Sequence, residues 1–361
     1  MAEATHDIEI RNLYKIFGRN GERHVADVKA GMTKDELKAR HDHVLGLDNI
    51  NMTVPAGRIQ VVMGLSGSGK STLIRHINRL IDPTAGEVIF DNRDVVQMSQ
   101  SELRQFRRQK TAMVFQKFAL FPHRTVLENT TYGLAVQGVK PREAEERARR
   151  WISRVGLEGF EASYPNQLSG GMQQRVGLAR ALTNDAEILL MDEAFSALDP
   201  LIRTDMQSVL LDLQAELRKT IMFITHDLDE ALKLGDQIAI LRDGRIIQQG
   251  TGEQIVLRPA DDYISNFVRD IRRGHVITVR TIMRRGKRAE SPVSLPATTL
   301  LEEAARAMTN AEVSRGNVVD EDGTHLGMVT LSKCVAEMIA PDTSDEDADD
   351  DAAIAPEPLS A

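Results

Sequence analysis

Residues 64–71 read Gly64-Leu65-Ser66-Gly67-Ser68-Gly69-Lys70-Ser71, which is the spacing G-x-x-x-x-G-K-S. An apolar run at 58–63 precedes this stretch, and apolar side chains at positions 73, 74, 77 and 80 follow it at helical spacing. A strand, a loop and a helix in this order surround a phosphate chain with backbone N–H groups and a helix N-terminus. We therefore predict a phosphate-binding loop in which Lys70 reaches the β- and γ-phosphates and the Ser71 hydroxyl binds Mg²⁺.

Two adjacent carboxylates end a second apolar run. Residues 187–191 lead directly into Asp192 and Glu193. One carboxylate at such a strand end can hold Mg²⁺, and its neighbour can orient and deprotonate an attacking water. Because this pair occurs in a chain with a phosphate-binding loop, we interpret it as catalytic rather than as an ordinary exposed Asp-Glu pair.

A second anion-binding helix N-terminus is predicted at Ser169-Gly170-Gly171, where a serine and two glycines open a helix. Read alone, this triplet indicates only a turn. Two anion sites about a hundred residues apart in one chain require a further explanation.

Bulk composition restricts the class of protein. The chain has 361 residues, of which 42% are hydrophobic and 27% are charged, as in ordinary globular proteins. Its one cysteine, Cys334, excludes an intrachain disulfide and fits a reducing compartment. The polar N-terminus has no signal-peptide core, and no apolar run approaches the ~20 residues of a membrane span. Eight acidic residues within 341–361 account for the net charge of −8, so the rest is balanced and does not indicate a nucleic-acid binder.

The order of apolar and polar segments predicts the domain organisation. Strands alternate with helices over most of the chain, which indicates a mainly parallel, doubly covered sheet. The predicted parts are a first domain at 1–268 that carries the phosphate-binding loop, a helical subdomain within it at about 117–185, an insert at 18–43 with a short helix at about 33–41, a linker and small domain at 269–340 that begins with a strand at 276–279, and a disordered acidic tail at 341–361.

The chain resembles the ATPase subunit of ATP-binding cassette (ABC) transporters from about residue 8 to residue 250. The resemblance rests on six motifs in the family's order, namely the phosphate loop, Gln116, Ser169-Gly170-Gly171, Asp192-Glu193, the D-loop Ser196-Ala197-Leu198-Asp199, and His226. It implies an α/β P-loop NTPase cassette with a mainly parallel sheet, an antiparallel β part and a helical subdomain. Cassettes of this family dimerise head to tail and sandwich ATP between the loop of one subunit and the signature of the other, which would explain two anion sites.

The resemblance also implies a role for each site residue. The residues that would hold ATP are Gly64, Leu65, Ser66, Gly67, Ser68, Gly69, Lys70, Ser71 and Thr72, together with Ser169, Gly170 and Gly171 of a second copy. Mg²⁺ would be held by Ser71, Gln116 and Asp192. Glu193 would be the general base, and Gln116, His226 and Lys70 would complete the catalytic set. Phe17 resembles the aromatic residue that stacks on adenine, with Tyr14 as its rival because the insert directly follows Phe17.

Three features resemble the glycine betaine/proline/choline importer ATPases: the insert, the Leu168–Met172 signature with methionine where glutamine is usual, and the run 192–199. Residues 276–340 resemble one cystathionine-β-synthase (CBS) motif, a regulatory module that normally works in pairs. This resemblance implies a peripheral subunit on the cytoplasmic face of the inner membrane. Its partners would be a second copy, transmembrane permease subunits and, indirectly, a periplasmic substrate-binding protein.

Two alternatives remain open at the level of sequence. One is an importer ATPase for another small solute, such as methionine, a polyamine or a metal. The other is a soluble, non-transport cassette. Separately, the basic stretch 269–288 predicts attraction to anionic lipid headgroups that weakens as salt rises, with the acidic tail as competitor; merely solvated charges are the simpler interpretation.

Overall fold

The computed structural model describes residues 7–196 and 198–339. Two compact units are present, one up to Ile255 and one from Val256 onward. The predicted acidic tail and Ala197 of the predicted D-loop lie outside the described residues. Within the described ranges, none of the helices has the length and apolar character needed to cross a membrane.

The elements of the chain alternate between strands and helices over most of its length. The strands are β1 (Ile8–Phe17), β2 (Val44–Val54), β3 (Ile59–Met63), β4 (Ala85–Phe90), β5 (Arg93–Asp94), β6 (Thr111–Val114), β7 (Ile188–Asp192), β8 (Thr220–Thr225), β9 (Gln237–Arg242), β10 (Arg245–Gly250), β11 (Arg284–Arg285), β12 (Ser294–Pro296), β13 (Arg315–Val319) and β14 (His325–Thr330). The α-helices are α1 (Val25–Lys29), α2 (Lys34–His41), α3 (Lys70–Ile77), α4 (Gln100–Gln109), α5 (Val126–Gln137), α6 (Pro141–Arg154), α7 (Gly170–Thr183), α8 (Pro200–Leu217), α9 (Leu228–Leu234), α10 (Gly252–Leu257), α11 (Asp262–Val268), α12 (Val279–Ile282), α13 (Leu301–Asn310) and α14 (Leu331–Ile339).

A six-stranded sheet forms the centre of the first unit. Its strand order is β10-β9-β3-β8-β7-β6, and all neighbours are parallel except β10, which forms a hairpin with β9. Strands β3, β7 and β8 are buried along their whole length, as expected for a parallel sheet covered on both faces. The predicted mainly parallel sheet is therefore confirmed, and the carboxyl ends of these three strands meet at one edge.

A second, antiparallel sheet has the order β2-β1-β4-β5. Helix α3 contributes Leu73, Ile74 and Ile77 to a core that also contains side chains of β1 and β3, so it packs between the sheets. This packing holds the N-terminus of α3, and hence Lys70, at the carboxyl edge of the central sheet. Helices α5, α6 and α7 pack on one another within the region predicted to be helical.

The insert at 18–43 folds into short helices. The predicted helix is present as α2, and Thr33 forms a capping box with Glu36, whose backbone N–H donates to the Thr33 hydroxyl at 3.3 Å. The sequence did not reveal the preceding helix α1. Val28 of α1 and Leu37 of α2 are buried in a small core with Tyr14, so the insert covers one face of β1.

The second unit contains a four-stranded sheet of order β11-β14-β13-β12, with the helices α13 and α14 packed on each other. The predicted strand at 276–279 is wrong. Only Thr278 forms a bridge, with Leu300, and the chain turns at Val279 into α12. Ile277 and Val279 are fully buried. Their β-branched side chains therefore indicated a buried segment, which in this case is not an extended strand.

Candidate functional site

The loop at 64–71 wraps closely against neighbouring backbone. Gly64 and Gly69 have φ values of 150° and 107°, which residues other than glycine rarely adopt. A Cβ atom at Gly64 would lie 2.1 Å from the Leu241 carbonyl oxygen, and one at Gly69 would lie 2.6 Å from the Gly46 carbonyl oxygen. Only glycine fits these positions, so the loop keeps its backbone free to approach a ligand.

Lys70 lies folded back over this loop and is only 4% exposed. Its Nζ atom donates hydrogen bonds to the carbonyl oxygens of Gly64 at 2.8 Å and Leu65 at 3.1 Å. It also lies 3.9 Å from Oε1 of Glu193. Burial lowers the pKa of Lys70, and the nearby carboxylates of Glu193 and Asp192 oppose that shift. The ammonium group is therefore positioned between the loop and the end of β7.

Ser71 and Asp192 come together although 121 residues separate them. The Ser71 hydroxyl donates to Oδ1 of Asp192 at 2.7 Å, and Asp192 is 1% exposed. Arg75 donates to the other oxygen, Oδ2, at 3.2 Å. The contact exists because β3 and β7 both flank β8. Mg²⁺ prefers oxygen ligands, and this site places a hydroxyl oxygen next to a carboxylate oxygen.

Glu193 is the centre of the polar side chains at this edge. Its carboxylate accepts a hydrogen bond from Nε2 of Gln116 at 2.7 Å, and Nδ1 of His226 lies 3.9 Å away. Its backbone φ is 46°, an uncommon value for a residue other than glycine, asparagine or aspartate. The amide N–H of Glu193 donates to the Ile224 carbonyl oxygen at 3.1 Å. Strained backbone held by neighbouring strands is a feature of functional sites.

The remaining loop residues differ in their exposure. Leu65, Ser66 and Gly67 are exposed, Ser68 is buried, and Ser71 and Thr72 are half-buried. Gln116 contacts Glu193 rather than the Ser71–Asp192 pair, so its predicted place as a metal ligand remains a prediction.

The two aromatic candidates for adenine stacking have different environments. Phe17 is 39% exposed at the end of β1, whereas Tyr14 is 5% exposed in the core beneath the insert. A Cβ atom at Gly46 would lie 2.6 Å from the Phe17 ring. Since Gly46 also lies against Gly69 of the loop, Phe17 is close to the loop and has an accessible ring.

The predicted signature forms the N-terminus of α7. Ser169 is its N-cap and accepts a hydrogen bond from the Met172 backbone at 3.3 Å. Gly170 is exposed, and a Cβ atom at Gly171 would lie 3.6 Å from Leu198 and Ile202. These contacts do not include the phosphate loop, so the structure does not bring the two predicted anion sites together within one chain.

Two supporting features escaped the sequence analysis. Arg75 follows Ser71 by four residues, so helical spacing could have predicted that both reach the same strand end. Behind His226, the Thr225 hydroxyl donates to the buried Glu230 carboxylate at 2.5 Å, and the Asp227 N–H donates to Thr225 Oγ1 at 3.0 Å. Burial raises the pKa of Glu230. These bonds fix the backbone on both sides of His226.

Comparison with known proteins places this geometry in context. Residues 47–196 match the family described as ABC transporter, and residues 276–340 match the CBS domain. The chain is 50% identical to the glycine betaine transport ATP-binding protein OpuAA of Bacillus subtilis, over 90% of this chain and 76% of that protein. It is 45% identical to the glycine betaine/proline betaine transport system ATP-binding protein ProV of Salmonella typhimurium, over 91% of this chain and 82% of that protein.

A solved structure is similar to about two thirds of the chain. It is the dimeric, post-hydrolysis state of the ATP-binding cassette MJ0796 bound to ADP and Pi. The similarity has a TM-score of 0.59 at 33% sequence identity and covers 68% of this chain and 98% of that one.

Proposed function

This chain belongs to the family of ABC transporter ATPases, and we propose that it energises the import of glycine betaine, proline betaine or choline-type compatible solutes. The observation that supports the hydrolytic part is the convergence of Lys70, Ser71, Asp192, Glu193 and His226 at one edge of the central sheet. The solute class rests on the relatives OpuAA and ProV, whose similarity extends through both units.

In the proposed reaction, Glu193 accepts a proton from the water that attacks the γ-phosphate. Gln116 holds the Glu193 carboxylate at 2.7 Å and orients it. Lys70 and His226 donate to the phosphate oxygens as negative charge develops there. Ser71 and Asp192 would hold Mg²⁺, which supplies electrostatic stabilisation of the β- and γ-phosphates.

The proposed assembly is a head-to-tail dimer. Ser169, Gly170 and Gly171 of one copy would cap the γ-phosphate held by the loop of the other. The N-terminus of α7 supports this arrangement, because Gly170 is exposed there and a helix N-terminus attracts an anion such as a phosphate. The CBS-like residues 276–340 would pair with their equivalents in the second copy.

A groove beside α5 supports docking of transmembrane permease subunits on the cytoplasmic face of the inner membrane. It has a volume of about 380 Å³, and its apolar lining includes Leu80, Phe115, Phe121, Tyr132 and Val136. Leu80 is 48% exposed and Val136 is 39% exposed, which is unusual for such residues. An apolar groove of this kind fits an amphipathic helix of a permease.

Replacing Leu80 in this groove tests the docking proposal. We expect Leu80→Asp to abolish solute uptake and co-purification with the permease, because a docked helix would remove water from a charged carboxylate in the apolar part of the groove. ATP hydrolysis by the isolated chain should change less than about twofold, since surface substitutions of this kind rarely alter the fold. Val335→Asp, at a similarly exposed position in the second unit, is the matched control. Normal uptake with Leu80→Asp would exclude this groove as the docking surface.

Phe17 is proposed to stack on adenine. We expect Phe17→Ala to raise the KM for ATP about tenfold with little change in kcat, because base stacking contributes about 1–3 kcal/mol. The control is Tyr14→Leu, which removes the buried ring and should lower Tm without changing KM. A raised KM in Tyr14→Leu together with an unchanged KM in Phe17→Ala would assign the stacking role to Tyr14.

Uptake measurements test the solute class. Cells that express the permease and binding protein should accumulate radiolabelled glycine betaine only when this chain is present, and unlabelled proline betaine should compete. Methionine or polyamine uptake that depends on this chain, without betaine uptake, would favour the other importer classes.

A further inference from the structure

Three histidines lie together at the base of the insert, close to where it leaves β1 and rejoins β2. The ring centroids of His24 and His41 are 4.1 Å apart, and those of His24 and His43 are 4.7 Å apart. His24 ends a 3₁₀ turn at Gly21–His24, and His41 ends α2. None of the three contributes to the nucleotide site described above.

A carboxylate completes a possible ligand set. Asp27 lies in the first turn of α1, and its Oδ2 atom is 3.7 Å from Nδ1 of His24. One ligand atom each of His24, Asp27 and His41 lies within 4.8 Å of the other two. Around a tetrahedral ion with bonds of about 2.0–2.1 Å, such atoms are about 3.4 Å apart. The Asp27 side chain is 50% exposed and His41 is exposed, so side-chain rotation can close this gap.

His43 has a supporting place beside this set. Its Nδ1 lies 2.6 Å from the carbonyl oxygen of His41, and its Nε2 lies 2.9 Å from the carbonyl oxygen of Arg19. Each ring nitrogen lies against a backbone carbonyl oxygen, so His43 is not counted among the ligands. The His43 ring lies between His41 at the end of α2 and Arg19 at the start of the insert, which supports the backbone next to the ligand set.

We propose that the insert binds a late first-row transition metal ion, with Zn²⁺ as the best fit, through His24, Asp27 and His41. Two imidazoles and one carboxylate suit Zn²⁺, whereas Mg²⁺ and Ca²⁺ select oxygen ligands. Water would fill the fourth position. The ion links the 3₁₀ turn and α1 to the end of α2, and so fixes the fold of the insert where it adjoins Phe17.

Zinc titration of the full-length, tag-free chain tests this site. The metal-free protein competes with a fluorescent zinc indicator, without nucleotide. We expect one equivalent of Zn²⁺ per chain, and His41→Gln and Asp27→Asn should each weaken its binding by about tenfold or more. The matched control is His123→Gln, at an exposed histidine outside the insert. No bound equivalent, or unchanged affinity in His41→Gln, would overturn the proposal.

Limited trypsin digestion locates the bound ion. The insert contains the cleavage sites Arg19, Arg23, Lys29, Lys34, Lys38 and Arg40. Zn²⁺ should slow cleavage at these sites in the wild type but not in His41→Gln, and Mg²⁺ should have no such effect. Equal protection in both proteins would place the ion elsewhere and contradict the proposal. ATP hydrolysis in zinc-free buffer shows that each variant is folded.

Discussion

Glu193→Gln should bind ATP as the wild type does and hydrolyse it about 10²- to 10⁴-fold more slowly. The amide has nearly the shape of the carboxylate and can still contact Gln116, which lies 2.7 Å from Glu193. It cannot accept a proton from the attacking water. Filter binding of ATP and single-turnover release of phosphate measure the two effects separately, and ATP-dependent dimers should persist in gel filtration.

Glu187→Gln is the control for this experiment. Glu187 immediately precedes β7, at the opposite end of the strand from Glu193, and forms a hydrogen bond with Lys110. The same chemical change at Glu187 should leave the ATP turnover rate within about twofold of the wild-type rate. An exposed ion pair contributes at most ~1 kcal/mol to the free energy of unfolding, so its loss should not disturb the fold. Near-normal hydrolysis by Glu193→Gln would show that another group is the base.

Gly171→Asp should leave ATP binding by a single chain intact and lower hydrolysis about 10²- to 10³-fold, the usual effect of losing one charge-stabilising donor site. The position has room, because a Cβ atom there would lie 3.6 Å from its nearest neighbours, Leu198 and Ile202. We therefore expect the variant chain to fold, with circular dichroism and Tm as the check. The added carboxylate would instead repel the γ-phosphate held by the second copy.

The Gly171→Asp prediction is tested by measuring both ATP binding and dimer formation. Gly177→Ala, in the same helix and with its nearest neighbour 3.7 Å from the added Cβ, is expected to remain active and shows that α7 tolerates a side chain. Equilibrium binding of ATP and sedimentation velocity with ATP distinguish the chain's own site from the dimer. A Gly171→Asp chain that loses ATP binding as a monomer would mean that the signature serves its own loop, against the proposed sandwich.

Local sequence signals predicted elements well where one interaction decides the structure. Thr33 and Glu36 predicted α2 because a capping box is formed within four residues. Asp243 and Gly244 join β9 to β10 with positive φ at both residues, the backbone conformation that an Asp-Gly pair favours in a two-residue hairpin turn. The strand expected at 276–279 is wrong because Ile277 and Val279 are buried in a core that includes side chains of α13, and burial alone does not select an extended backbone.

Other features depend on distant parts of the chain. The spacing of Phe17 and Tyr14 does not distinguish the two aromatic candidates, whereas in the structure the insert buries Tyr14 and Phe17 is 39% exposed. The approach of His24 to His41 likewise depends on how the short helices of the insert fold back on β1.

By itself, the sequence determined the strand, glycine-rich loop and helix at 58–77, the two carboxylates at the end of β7 and the mainly parallel sheet, because glycine spacing, apolar runs and helix capping act over a few residues. Only the tertiary structure decided that Ser71 meets Asp192 and that Lys70 and His226 approach Glu193. It also decided that Leu198 and Ile202, rather than the loop at 64–71, lie nearest to Gly171. The physical reason is strand order. Residues more than a hundred positions apart become neighbours only when parallel strands align their carboxyl ends, and no local pattern encodes that alignment.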